Sequence, residues 1–305
     1  MSRRGRWLIG GAAAVVAVAA GVWIWQSTSR TPTPEESALS YLRALESGDP
    51  DAVEGAGVDV SAEALGAFAA ATDFIEDAAV RTVSGGDGRP PGDEKATAEV
   101  SFLLDGEEHT AELSLTAVEG RWTVDASGFG TMTATTTTGS FVAIGAQTFP
   151  ISKKTALLPA VYTIAAAPTT LLEGQSSMLV LPGEDSEIAL DATVRPEATA
   201  AAQEQLDEHL TACTAPAGAA PEGCGIRIPW GTDFRAVSEF RYRVEELPVV
   251  TIEGTEFRAD GGSLVSTVTG TGQDGTERTT TYRTDSWSVR GGVAFTADDL
   301  VLSVW

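Results

Sequence analysis

The sequence predicts an α+β chain: an N-terminal transmembrane helix, an α+β domain, a small β-sandwich and a second, reduced α+β domain. Three observations predict this order. The chain opens with an uncharged apolar run, and apolar residues at helical spacing then give way to alternating ones. A unit of hairpin turn and tryptophan strand, Asp105–Asp125, recurs in shorter form at Asp274–Val289. Helices that precede an antiparallel meander are typical of α+β domains.

The first element is the apolar run Trp7–Trp25, nineteen residues without a charge. As a helix it spans about 28 Å, close to the hydrocarbon thickness of a bilayer. Three arginines lie among residues 1–6, which predicts a cytoplasmic N-terminus and an extracytoplasmic bulk. A cleaved signal peptide is the alternative, with a cleavage motif at Ala17–Ala19. Because the apolar run continues to Ile24, we expect an uncleaved single-pass anchor in the cell membrane.

The charge balance and the motifs exclude several classes of function. The chain has 20 Lys+Arg and 43 Asp+Glu, a formal net charge of −23 at pH 7. A surface this negative repels phosphate backbones, so we expect no nucleic-acid partner. The sequence contains no P-loop, G-x-S-x-G, H-E-x-x-H or C-x-x-C motif, so we expect no cofactor and no metal.

Helix start signals open the first predicted domain, 34–128, after a linker, 26–33. Thr33 is placed to cap a helix that begins at Pro34, and Glu36 completes a capping box. The apolar residues of this helix recur on one face at helical spacing.

Two further helix starts, at Asp49 and Ser61, precede a change to strand pattern. Asp105-Gly106 is a hairpin turn signal between two alternating segments. Because alternation places every second side chain on one face of a sheet, these segments predict a half-buried antiparallel meander. The alternating residues are Ala96, Ala98, Val100, Phe102 and Leu104 before the turn and Ala111, Leu113, Leu115 and Ala117 after it.

The segments "SALSYLRALESGDPDAV" and "GRWTVD", joined by paired long strands, resemble the nuclear transport factor 2-like (cystatin-like cone) superfamily over 34–128. The resemblance implies a curled sheet that often encloses a pocket. We therefore name Tyr41, His109 and Trp122 as candidate pocket residues. His109 shares strand parity with Leu113, so its side chain is expected on the inner face. It is the candidate general base of a hydrolase, although half-buried histidines more commonly serve packing.

The next segment, 129–195, predicts a small β-sandwich, because short strands are separated by Gly and Pro turns without helical periodicity. Its "LLPAVYTIAA" resembles PEGA-type modules, with Ala160 where a glycine is usual. The threonine run Thr131–Thr138 predicts either a strand or an O-glycosylated stalk.

The last segment, 196–305, predicts a second, reduced cone: one helix from Pro196 and then strands that repeat the hairpin signal at Asp274-Gly275. Its two cysteines, Cys213 and Cys224, are eleven residues apart across a segment rich in Ala, Pro and Gly. This spacing favours a disulfide that pins a loop. A metal site would require more ligands than His209 supplies.

Arginines are concentrated at Arg235, Arg241 and Arg243 in an otherwise acidic chain. Alternation places Arg241 and Arg243 on the strand face opposite Tyr242. These arginines are candidates for contact with an anionic envelope polymer or a partner protein, and cross-strand pairing with acids is the alternative.

The expected function is a non-catalytic envelope scaffold or interaction module, with an envelope protein or polymer as its partner. One alternative is a sensor or carrier that holds a small ligand or envelope polymer in a pocket. Another is a hydrolase that uses His109. High Ala, Val, Asp and Glu usage with little Lys is typical of high-GC Gram-positive bacteria.

Overall fold

The structure is a computed structural model that describes residues 32–85, 95–215, 223–226 and 230–305. Strands contain 54% of these residues and helices 20%. The chain is therefore mostly β, and the prediction of an α+β fold with two cystatin-like cones is wrong. Within the described ranges, no helix is long and apolar enough to cross a bilayer. The predicted transmembrane helix, 7–25, lies outside those ranges.

The described residues form two compact units. One contains those up to Val60 and those from Phe74 to Phe129. The other contains Ser61–Asp73 and those from Gly130 to Trp305.

The first unit packs two helices against a four-stranded antiparallel meander in chain order. The first helix begins at the predicted capping box: Thr33 Oγ1 accepts from the Glu36 N–H at 3.2 Å, and Glu36 Oε2 accepts from the Thr33 N–H at 2.8 Å. It ends at Gly48, whose left-handed backbone suits glycine. The elements are α1 (Pro34–Ser47), α2 (Pro50–Gly55), β1 (Glu76–Gly85), β2 (Lys95–Leu104), β3 (Glu107–Val118) and β4 (Arg121–Val124).

The β2–β3 hairpin turns at the predicted dipeptide. Asp105 and Gly106 have φ of 54° and 75°, as a type I′ turn requires. The five alternating β2 residues from Ala96 to Leu104 are all buried, as are Leu113 and Leu115 on β3.

The second unit begins with α3 and several short strands. One sheet has the order β11-β9-β6-β7 and another the order β12-β5-β8, while β10 pairs with β13. Tyr162 is fully buried on β9 and donates its hydroxyl to Leu158 O at 2.6 Å. The elements are α3 (Ala62–Phe68), β5 (Gly130–Thr136), β6 (Phe141–Ile144), β7 (Gln147–Pro150), β8 (Thr155–Leu157), β9 (Ala160–Ala167), β10 (Leu172–Glu173), β11 (Gln175–Val180), β12 (Asp185–Leu190) and β13 (Thr193–Val194).

The rest of the second unit is one helix on a five-stranded antiparallel sheet, here called the C-terminal sheet. Its order is β14-β16-β17-β18, and β15 also pairs with β16. The two central strands, β16 and β17, are 17 and 19 residues long, so this part of the second unit has more residues in strands than in its helix. The helix buries Ala198, Ala202, Leu206 and Leu210 against this sheet. The elements are α4 (Pro196–Thr214), β14 (Phe234–Glu246), β15 (Val249–Glu253), β16 (Glu256–Gly272), β17 (Glu277–Phe295) and β18 (Leu300–Val304).

Candidate functional site

Tyr41, the first candidate pocket residue, is used in packing. Its side chain is fully buried on α1, and its hydroxyl donates to Gly128 O at 2.6 Å. Burial raises the pKa of Tyr41 well above its usual range, because the phenolate would lie in an apolar environment. A tyrosine held in this way stabilises the first unit and has no hydroxyl hydrogen left to donate to a ligand.

His109 lies near the start of β3, and Trp122 lies on β4, beside the end of β3. His109 pairs with Phe102 in the register, with ring centroids 5.9 Å apart, and its Nε2 is buried without a hydrogen-bond partner among the described residues. Trp122 pairs with Ala117. Eight residues of strand separate Ala117 from His109, a distance of about 27 Å. The structure therefore separates His109 from Trp122, and Tyr41 is engaged in packing.

The three candidate arginines lie on the edge strand β14. Arg241 and Arg243 are exposed on the face opposite Tyr242, as alternation predicts. Each forms an ion pair on its own strand: Arg241 Nε is 2.8 Å from Glu239 Oε1, and Arg243 Nη2 is 2.5 Å from Glu245 Oε1. For Arg235 there is no ion pair within the described part of the chain. Two of the three charges are therefore balanced locally.

The predicted disulfide is confirmed. Cys213, at the end of α4, is bonded to Cys224, and their Cα atoms are 5.8 Å apart. His209 Nε2 lies 3.0 Å from Gly223 O and 3.6 Å from Cys213 Sγ. A ring nitrogen of His209 and the sulfurs of Cys213 and Cys224 are the three potential metal ligands, and they lie within 4.8 Å of one another. Because both sulfurs are oxidised, they do not offer thiolates to a metal.

A cavity of about 940 Å³ lies along β17. Its volume is in the range of sites that bind small molecules or peptide segments. Side chains from both faces of β17 line it, which places the cavity at the edge of the strand. The described lining residues are Gly225, Ile226, Arg258, Leu264, Ser266, Thr281, Tyr282, Arg283, Thr284, Ser286, Trp287, Ser288, Val289, Arg290 and Trp305.

Two arginines in this lining, Arg258 and Arg290, are direct cross-strand partners on β16 and β17. Like charges directly opposite each other destabilise a sheet. Arg258 Nε contacts Asp260 Oδ2 at 2.5 Å, and this carboxylate raises the pKa of the guanidinium further. Arg290 has no ion pair among the residues that the structure describes. Arg258 is thus compensated by Asp260 and also feels the charge of Glu253, so Arg290 supplies the uncompensated charge of the pair.

A third arginine in the lining, Arg283, is balanced differently. It contacts Asp285 at 2.8 Å and also pairs with Glu245 on β14. Two carboxylates raise its pKa and hold its charge close to the sheet. Arg290, and not Arg283, is therefore the arginine best placed to bind an incoming anion.

Two buried polar atoms in the cavity wall have no hydrogen-bond partner within the described ranges. They are Ser266 Oγ and Trp287 Nε1, in side chains that are only 2% and 6% exposed. A buried polar group without a partner costs about 1–3 kcal/mol. Because both atoms are inaccessible, this cost falls on the folded chain itself, and the cavity surface beside them is formed by other atoms of these residues.

Tyr282 places a third polar group in the cavity wall. Its hydroxyl donates to Asp233 Oδ2 at 2.5 Å. Desolvation is the main cause that raises the pKa of Tyr282 to about 12, and the neighbouring carboxylate contributes to this rise. The hydroxyl therefore stays protonated at neutral pH. This hydrogen bond fixes the orientation of the Tyr282 ring.

The Arg258–Arg290 pair was not predicted from the sequence, although a signal for it exists. Both residues lie sixteen positions from Asp274, the predicted turn residue. Counting outward from the turn would have placed them opposite each other.

Comparison with family models, curated proteins and solved structures found no match for the chain.

Proposed function

We propose that this chain is a non-catalytic binding module, anchored by its N-terminal segment at the outer face of a cell membrane, and that it binds an anionic ligand at the Arg258–Arg290 pair. The disulfide supports the extracytoplasmic location, because such bonds persist in oxidising compartments. The apolar run Trp7–Trp25, after three arginines, supports the anchor.

The arginine pair is the observation that carries the binding proposal. Arg258 and Arg290 are directly opposite each other on neighbouring strands, and like charges in this register disfavour the strand pairing. A carboxylate or phosphate between them converts this repulsion into charge-assisted hydrogen bonds, for which the planar guanidinium is well shaped. The adjacent cavity provides the space for such a ligand.

The lining also favours binding over catalysis. A general base in a pocket is usually a histidine or a carboxylate. Among the described residues that line the cavity there is neither, and the hydroxyl of Tyr282 is engaged with Asp233. The expected partner is an acidic segment of an envelope protein or an anionic envelope polymer.

The binding proposal is tested by titrating the full chain in lipid nanodiscs with polyglutamate and with inorganic polyphosphate, and following tryptophan fluorescence. Trp287 and Trp305 line the cavity, so a bound ligand should change their emission. We expect Arg290→Ala to weaken binding at least about tenfold, the loss of one charge-assisted contact.

Arg235→Ala is the matched control, because Arg235 also lacks an ion pair within the described ranges but lies outside the cavity lining. This control should bind like the parent chain. If Arg235→Ala weakened binding and Arg290→Ala did not, the anion would bind to β14 and the proposed site would be wrong. Absence of binding to both polymers would contradict the function itself.

The anchor is tested by N-terminal sequencing of the chain purified from membranes. An uncleaved anchor keeps the N-terminus at or next to Met1. A mature chain that started near Ala20 would show that the segment is a signal peptide.

A further inference from the structure

One edge of β17 is paired along only part of its length. On one side, β16 pairs with β17 from Glu277 to Gly292. On the other side, β18 pairs only with Gly291–Phe295. Within the described part of the chain, no strand covers the β18 side of β17 from Glu277 to Val289. An uncovered edge presents backbone N–H and C=O groups that are ready to pair with another strand.

One hydrogen bond at the end of this edge shows which residues of β17 direct their backbone groups toward it. The Trp305 N–H donates to Arg290 O at 3.1 Å, so the carbonyl of Arg290 faces the β18 side. Because successive residues of a strand alternate in direction, Ser288 presents its backbone groups to the same side. Both residues line the cavity. The open edge and the cavity are therefore one feature.

We infer that the ligand of this cavity is an extended acidic peptide segment of a partner protein, which adds to the open edge of β17 as a further strand. This inference rests on the proposed anion-binding function and specifies its ligand. Strand addition supplies affinity through main-chain hydrogen bonds and specificity through alternate side chains. On one face of the added strand, an acidic side chain meets Arg290, with Arg258 one strand further away on β16.

A different role for the charges on this edge must be distinguished from binding. Edge strands commonly carry bulges and charged residues that prevent pairing with other chains. β17 has such a bulge, where Thr284 and Trp287 pair with Leu264 and Gly262. A purely protective edge binds no peptide, whereas a recognition edge binds one on the Trp287–Arg290 side of the bulge. The bulge also predicts that the added strand is short.

The test compares three probes on the full chain in nanodiscs, by fluorescence anisotropy. The first is a labelled ten-residue peptide in which glutamate alternates with threonine. The second is the same peptide N-methylated at every glutamate, and the third is the same peptide N-methylated at every threonine. Only one register carries the N–H groups that face β17, so one methylated peptide should bind at least about tenfold more weakly and the other should bind like the parent.

Variants of the chain provide an independent reading. Ser288→Pro removes an edge N–H and should reduce peptide binding about tenfold, whereas Ser288→Ala retains the N–H and should not. Unchanged far-ultraviolet circular dichroism and unchanged polyphosphate binding by the proline variant would show that the sheet is intact.

The outcomes separate this inference from the proposed function. If polyphosphate or polyglutamate bound but the alternating peptide did not, strand addition would be wrong and anion binding would stand. Equal binding of both methylated peptides would show recognition by charge alone and would also overturn strand addition. If none of the probes bound, both proposals would fail.

Discussion

The β2–β3 hairpin and the β16–β17 hairpin share an Asp-Gly turn signal but differ in regularity. The first pairs without interruption from Lys95–Thr116 to Leu104–Glu107, around a two-residue turn. The second shifts register twice between Ala259 and Leu264 and places two arginines opposite each other. Its turn is also longer, with a hydrogen bond from the Gly272 N–H to Thr276 O.

The polar groups of the two hairpins differ in the same way. Ser101 on β2 is 2% exposed and accepts from Arg81 Nε at 2.7 Å. Ser266 on β16 is equally buried and has no hydrogen-bond partner among the described residues. Sequences depart from local rules mainly at functional or strained sites. The irregular register and the arginine pair therefore distinguish the second hairpin as the candidate site. An unsatisfied buried polar atom alone does not, because His109 Nε2 on the first hairpin also has no hydrogen-bond partner among the described residues.

Glycine substitutions are expected to give the largest contrast between the hairpins. A Cβ at Gly291 would lie 1.9 Å from Ser303 O, a backbone atom that cannot move without separating β18 from β17. Gly291→Ala should therefore lower the free energy of unfolding of the second unit by about 3 kcal/mol. Gly106 has open space around it and a φ of +75°, so Gly106→Ala should cost about 1 kcal/mol through the backbone alone.

Urea unfolding with hydrogen-exchange readout of each unit would measure both effects. Gly231→Ala is the control, because no atom lies within 4 Å of the added Cβ and the backbone is not left-handed. We expect it to change stability by less than about 0.5 kcal/mol. A larger cost at Gly106 than at Gly291 would show that turn geometry outweighs strand contact here and would break the comparison.

The two buried serines should respond in opposite directions. Ser101→Ala removes the acceptor of the Arg81 N–H and should destabilise the first unit by about 1 kcal/mol. Ser266→Ala removes a buried hydroxyl that has no partner in the described chain, so the second unit should keep its stability or gain up to about 1 kcal/mol. Thermal unfolding of each variant measures the difference. Equal losses at both serines would mean that Ser266 is satisfied in solution.

The local features of the fold were predictable from sequence. The capping box of Thr33 and Glu36 and the turn at Asp105-Gly106 depend on neighbouring residues, and the structure contains both. The cysteine pair was predictable for a similar reason, because a short segment separates Cys213 from Cys224. Each of these signals lies within a few residues of the feature that it determines.

The predominance of strand was not predictable in the same way. The lengths of β16 and β17 depend on pairing with β14, β15 and β18, and no local pattern reports such distant partners. The candidate site was missed for a related reason. Arg258 and Arg290 meet only because the register shifts across the hairpin compensate each other. By contrast, the chosen cluster at Arg235, Arg241 and Arg243 is close in sequence, and two of its members pair with acids on their own strand.

Alkaline titration should give the smallest contrast, between Tyr41 and Tyr282. Burial raises the pKa of both hydroxyls, to about 12 for Tyr282 and further for Tyr41. An unfolded tyrosine ionises near pH 10, at about its reference pKa. Between about pH 10 and 12 the folded Tyr282 therefore keeps a proton that the unfolded chain loses, and stability falls as the pH rises through this window.

The ultraviolet absorbance of tyrosinate, followed against pH, would measure this difference. Tyr282→Phe should remove a step near pH 12 that precedes unfolding, whereas Tyr41→Phe should leave that step in place because Tyr41 ionises only when the first unit unfolds. Asp233→Asn should lower the pKa of Tyr282, because the neighbouring negative charge is removed. A step unchanged by both Tyr282→Phe and Asp233→Asn would show that the Tyr282–Asp233 hydrogen bond does not hold the cavity wall in solution.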